Sequence, residues 1–115
     1  MKFNIFNFVS LAYTRKFKFI SLACARKSYQ WSKVREKHLQ KQPTCAACGN
    51  DKKLEVHHIK PINKYPELEL EPENLITLCA DPCHLIFGHL KHWKSWNENV
   101  IVDCEKYLQK IKERP

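Results

Sequence analysis

Cys45-Ala46-Ala47-Cys48-Gly49, Leu54-Glu55-Val56-His57-His58-Ile59-Lys60-Pro61 and Leu75-Ile76-Thr77-Leu78-Cys79, the last running on to Cys83-His84, decide how this chain folds. Leu54 to Ile59 alternates as a half-buried strand does, and Pro61 ends it because proline has no N–H for a ladder. Leu75 to Leu78 is a short apolar run and reads as a second strand. Residues 60–73, with Pro61, Pro66, Pro72 and four glutamates from Glu67 to Glu73, read as a loop. Asp81 then stands where an N-cap is wanted and Pro82 at the first helical position, which predicts a helix carrying Cys83 and His84 in its first turn. Upstream, Lys27 to Gln42 places Trp31, Val34, His38 and Leu39 at helical spacing with cations on the other face, and Pro43 closes it. His38 reads as a packing or surface residue. Downstream, Val100 to Arg114 predicts another helix, with Val102, Tyr107, Leu108 and Ile111 on its apolar side. The class is α+β, as one small domain.

Cysteine spacing carries the first chemistry. Cys45 and Cys48 form a C-x2-C and Cys79 and Cys83 a C-x3-C, with thirty residues between the pairs. Two close pairs fit a tetrahedral Zn2+ site, each knuckle bringing two thiolates to one ion. Disulfides across so few residues are geometrically awkward, and the competing reading is buried or redox-active thiols. Gly49 follows Cys48 where a knuckle needs tolerance of positive φ. Four protein ligands would make this zinc structural, since no position is left open for substrate. Cys24 and Cys104 lack close partners and read as ordinary thiols.

The 115 residues carry 20 Lys and Arg against 12 Asp and Glu, a formal charge of +8. The first acid is Glu36, and before it stand eight cations, Lys2, Arg15, Lys16, Lys18, Arg26, Lys27, Lys33 and Arg35. The remainder is formally neutral, so the basic character belongs to the N-terminal third, either as a contact for a polyanion or as a solvated arm. Residues 1–26 read as a basic segment with little structure of its own, followed by a domain over 27–115. No stretch reaches the roughly 20 apolar residues of a membrane helix. Phe3 to Tyr13 is broken by Asn4 and Asn7, and Phe17 to Ala25 by Lys18. Internal Arg15, Lys16 and Lys18 argue against a secretory leader.

Of the six histidines, His57 and His58 end the first strand, His84 follows Cys83, and His89 and His92 lie beyond. Neighbouring strand residues face opposite ways, yet at a strand end both can border one site. One imidazole could then hold a cation while its neighbour takes a proton from water. A His-His pair by itself is more often surface polarity. His84 and His89 are five residues apart, about 140° on an ideal α-helix, so they share an ion only if Gly88 ends or distorts the helix. His89 is accordingly the weaker candidate, as third ligand or phosphate contact. Lys60, Lys64 and Lys91 are candidate phosphate contacts, set against ordinary solvated surface.

These motifs together, with Pro72 to Cys79 and Phe87-Gly88-His89, resemble the HNH endonuclease family in its zinc-containing branch common in phages and bacteria. With Trp31 upstream and Trp93 to Asn97 downstream, the likeness spans about residues 27–103. It implies a ββα-metal (HNH, or His-Me finger) domain with a structural zinc knuckle pair and flanking helices. It further implies a metal-dependent DNA endonuclease with His58 as general base and His57 and His84 as ligands of one catalytic divalent ion. Asn74 would brace the loop that orients His58. Mg2+, Mn2+, Ni2+, Co2+ and Zn2+ are all compatible, the imidazoles favouring the later metals. The expected partner is DNA with little sequence specificity, without membrane or small-molecule substrate, inside a bacterial or phage-infected cell. A zinc-dependent nucleic-acid-binding module without catalysis is the alternative, but it leaves His57, His58, Asn74 and His84 without a role.

Overall fold

The computed structural model describes residues 27–115, so the basic segment expected over 1–26 and the thiol of Cys24 lie outside the described residues. Residues 27–41 form helix α1, and Gln42 and Pro43 end it as the pattern predicts. The architecture below is that of the compact unit Lys33–Pro115. In chain order it holds strand β1 (Leu54–His58), 3-10 turns at Pro66–Leu68 and Pro72–Asn74, strand β2 (Leu75–Cys79), a π-helical turn (His84–Gly88) and helix α2 (Val100–Glu113).

The two strands pair antiparallel, with Leu54 opposite Cys79, Val56 opposite Thr77 and His58 opposite Leu75. This is a small α+β fold with a two-stranded sheet. β2 is buried along its whole length, whereas β1 exposes Glu55. The outer edge of β2 is closed by the end of α1: the Thr77 amide donates to Gln42 Oε1 at 2.8 Å and the Thr77 hydroxyl to the Gln42 carbonyl at 2.9 Å. An open edge with unpaired N–H groups is thereby blunted. The buried core gathers Cys45, Ala47, Ile76, Leu78, Cys79, Cys83, Val100 and Cys104.

Two expectations change. The helix after β2 does not start on an Asp81 cap with Pro82 at its first position. Its N-cap is Cys83 without a side-chain cap, the Asp81–Pro82 peptide is cis, and the next segment is a π-turn. Residues 80–82 are spent instead on the turn that returns Cys83 to the other sulfurs. The Ala80 amide is held by the Lys53 carbonyl at 2.7 Å, and the Cys79 thiol lies 3.4 Å from the Asp81 carbonyl. In α2 the buried residues are Val100 and Cys104, with Leu108 and Ile111 half-buried. Val102 is 47% and Tyr107 43% exposed. The core contact comes from the start of the helix, and that sets a rotation different from the one the apolar residues suggest.

Candidate metal and catalytic site

The first cluster is Cys45, Cys48, Cys79 and Cys83, whose sulfurs all lie within 4.8 Å of one another. The Cys48 and Cys79 sulfurs are 3.8 Å apart, the edge of a tetrahedron whose centre is about 2.3 Å from each sulfur, about 3.8 Å. Gly49, at φ 79°, makes the left-handed turn of the first knuckle, and its amide bonds the Cys45 carbonyl at 2.9 Å. All four are free thiols. Burial alone would raise the Cys45 thiol, but the amides of Cys48, Cys79 and Ala47 point at its sulfur and bring it below the usual range. Burial pushes Cys83 strongly upward, as do its neighbouring thiols. Four sulfurs this close repel one another as thiolates, and a divalent cation would let all four ionise. The geometry is compatible with a zinc knuckle pair. Cys104 is buried in the same core, outside the four-sulfur set, and burial pushes its thiol up to about 12.

The second cluster is His57, His84 and His89, each offering a nitrogen within 4.8 Å of the others. His57 hangs from β1, only 5% exposed. Its ring centroid is 5.0 Å from that of His84 and 4.9 Å from that of His89. His84 and His89 share a face because residues 84–88 are a π-turn, whose i→i+5 bonding suits a five-residue repeat. Gly88 lets the His57 ring approach the turn closely. A Cβ there would sit 3.0–3.1 Å from three atoms of the His57 ring. Asn97 supports the turn from below: its Nδ2 donates to the Phe87 carbonyl at 3.0 Å and its amide to the Gly88 carbonyl at 3.1 Å.

Hydrogen-bond partners fix the tautomer that each ring takes in its neutral form. His84 Nδ1 lies 2.7 Å from the Glu55 carboxylate and His89 Nδ1 2.8 Å from the Ser95 carbonyl. Both partners only accept, so each Nδ1 carries the proton and each Nε2 a lone pair. His57 Nδ1, 3.1 Å from His84 Nε2, must then donate. Its own Nε2 is left as a buried lone pair with no protein partner. Burial, and then the neighbouring His84 and His89, hold the His57 imidazole far below its ordinary value, at about 3. Three clustered imidazoles, one with a ring nitrogen that has no protein partner in the interior, make a donor set suited to a divalent transition-metal ion. Glu55 and the Ser95 carbonyl orient two of those rings, and sequence reading found neither role. Glu55 was legible only as an outward residue of β1, and Ser95 acts through its backbone.

His58, on the other side of β1, turns to the same cavity. Its Nε2 donates to the Glu69 carbonyl at 2.9 Å, which makes Nδ1 the lone-pair nitrogen. Asn74 is buried at the start of β2 and clamps the chain just beyond His58. Its Oδ1 accepts from the Lys60 amide at 2.8 Å, and its Nδ2 donates to the Lys60 carbonyl at 3.0 Å. Its own carbonyl accepts from the Ile59 amide at 2.8 Å. His57, His58, His84 and His89 line one cavity of about 710 Å³, together with Lys64, Lys94, Trp93 and Trp96. Lys60 lies over the Tyr65 ring, 5.3 Å from its centroid. Lys91 is in the turn after His89 at φ 70°, outside the cavity lining.

Comparison with protein families places residues 45–90 under the family model described as HNH endonuclease. The matched segment runs from the first cysteine to just beyond His89, and it supports a nuclease or nucleic-acid-binding role. No curated protein and no solved structure matches the chain.

Proposed function

We propose, from the HNH domain at residues 45–90, that the chain is a metal-dependent DNA endonuclease. His58 takes a proton from water at Nδ1 as the water attacks phosphorus, its ring held by the Nε2–H bond to Glu69. Asn74 is the positioning residue, locking Ile59 and Lys60 so that the strand end presents His58 to the cavity. His57, His84 and His89 would hold one divalent cation, which when bound supplies positive charge at the scissile phosphate and its leaving oxygen. An all-imidazole donor set favours Mn2+, Co2+, Ni2+ or Zn2+ over Mg2+. The four cysteines would hold a structural Zn2+. Lys64 and Lys94 border the cavity as candidate phosphate contacts. The cations of residues 1–35 supply long-range attraction to DNA, because the remainder of the chain is formally neutral. No helix among the described residues is long and apolar enough to cross a membrane.

The observation that carries this reading is the convergence on one cavity of an oriented imidazole, His58, and a cluster of three more, His57, His84 and His89, with nitrogens within 4.8 Å of one another. The test is incubation of purified protein with supercoiled plasmid and Mn2+, Ni2+ or Mg2+. Wild type is expected to nick. His58→Ala should lose about 10²–10⁴-fold of that rate, the usual worth of general base catalysis, with its zinc content intact. Retarded migration without nicking, equal in both proteins, would establish the non-catalytic binding module instead.

A further inference from the structure

Trp93 stands at the mouth of the histidine cavity, 59% exposed, with its ring 5.3 Å from that of His84 and 4.9 Å from that of His89. An indole left open to water beside a polar cluster is unusual for a purely structural residue, since its area normally goes into a core. The loop that carries it is held firmly. The Lys91 amide reaches back to the Leu85 carbonyl at 2.8 Å, the His92 amide to His89 and the Ser95 amide to His92, and His89 Nδ1 closes on the Ser95 carbonyl. Trp93 is thus fixed between two ends that belong to the imidazole cluster. Trp96 lines the same cavity and packs edge-on against Tyr65 at 6.2 Å, with Lys64 and Lys94 beside it.

The cavity has the size of a site that encloses a small ligand, about 710 Å³. A nucleotide enters such a space, whereas a duplex can only lie across its mouth. In paired DNA both faces of every base are covered by their neighbours. An indole face therefore finds a stacking partner only where a base is unpaired or splayed out. Lysines supply sequence-independent contact to the adjoining phosphates.

We propose that Trp93 is a stacking platform for an unpaired base at the cavity lined by His57, His84 and His89, so that the preferred substrate is single-stranded or locally unpaired DNA. This deepens the nuclease reading and rests on its assignment of nucleic acid to this cavity. Each stacked base on an aromatic platform corresponds to about 5- to 150-fold in affinity.

The test is fluorescence anisotropy with the full-length, zinc-loaded protein and no added catalytic metal. The probes are a labelled single strand, its blunt duplex, and the same duplex with a short bulge. Wild type should bind the strand and the bulged duplex more tightly than the blunt one. Trp93→Ala and Trp93→Leu should each lose about 5- to 150-fold on the two unpaired probes and change little on the blunt duplex. Trp93→Tyr should keep most of the preference. Equal affinity of Trp93→Ala and wild type on every probe, or an equal loss on all three, overturns the proposal, as does Trp93→Leu behaving like wild type. The plasmid assay separates the two readings. Protein that never nicks but shows the Trp93-dependent preference loses the nuclease reading and keeps this one. Protein that nicks while Trp93→Ala binds all probes normally keeps the nuclease and loses the platform.

Discussion

His84 and His89 are five residues apart in sequence, yet their ring centroids lie 5.0 Å apart on one face. On an α-helix they would point about 140° away from each other. The π-turn His84–Gly88 removes that conflict. π-bulges frequently accompany functional sites, and here the reason is visible, since the wider turn is the geometry in which a His-x4-His pair can meet a third histidine.

Gly88→Ala tests that arrangement. A Cβ at this position would lie 3.0–3.1 Å from the His57 imidazole, which is itself only 5% exposed. Either the ring or the turn must move, at a cost of about 1–3 kcal/mol for overpacking of this kind. We expect a lower Tm and weakened Ni2+ binding by calorimetry, with zinc still held by the cysteines. Normal Ni2+ affinity in Gly88→Ala would show that the close approach is unimportant to the cluster.

Glu55 sets the His84 tautomer through a 2.7 Å contact from a position 48% exposed. Carboxylate partners of metal-binding histidines are typically worth about 10–100-fold in affinity. Glu55→Ala should weaken Ni2+ or Mn2+ binding by that order, while Glu55→Gln, whose carbonyl still accepts from Nδ1–H, should retain most of it. Identical calorimetric titrations for all three proteins would remove Glu55 from the site.

Asn74→Ala should damage both stability and cleavage. It removes the side-chain partners of the Lys60 amide and carbonyl, and each such hydrogen bond contributes about 0.5–1.5 kcal/mol. Asn74→Asp should not rescue, because a carboxylate oxygen would then face the Lys60 carbonyl. Denaturant unfolding gives the first effect, and the nicking rate measured well below the melting range gives the second. A variant as stable and as active as wild type would leave the clamp without purpose.

Metal analysis separates the cysteines. Cys104→Ala, outside the four-sulfur cluster, should retain zinc and fold. Cys45→Ala or Cys83→Ala should lose zinc and much of the tertiary structure, because a structural site contributes folding energy directly. Zinc retained at wild-type stoichiometry in Cys83→Ala would remove that residue from the ligand set.

Local signals in the sequence carried a large share of this. The cysteine pairs, the alternation of β1, the apolar run of β2 and the likeness to the HNH family all rest on spacing over a few residues, where covalent geometry sets what a side chain can reach. Asn74 was legible through that likeness, although the two-way clamp on Lys60 was not. Less legible was everything set by contact between distant segments. The apolar residues of α2 pointed to Val102 and Tyr107, but Val100 and Cys104 are the ones the core takes. Asp81 and Pro82 carry a strong helix-start signal, but the path of Cys83 back to three other sulfurs overrides it. The position of His89 is the clearest case. Sequence alone determined that His84 and His89 could share an ion only through a distorted helix, and named Gly88 as the place. Only the tertiary structure decided that the distortion occurs, because the His57 ring on β1 takes the space of a Cβ at Gly88 and Asn97 holds the Phe87 and Gly88 carbonyls.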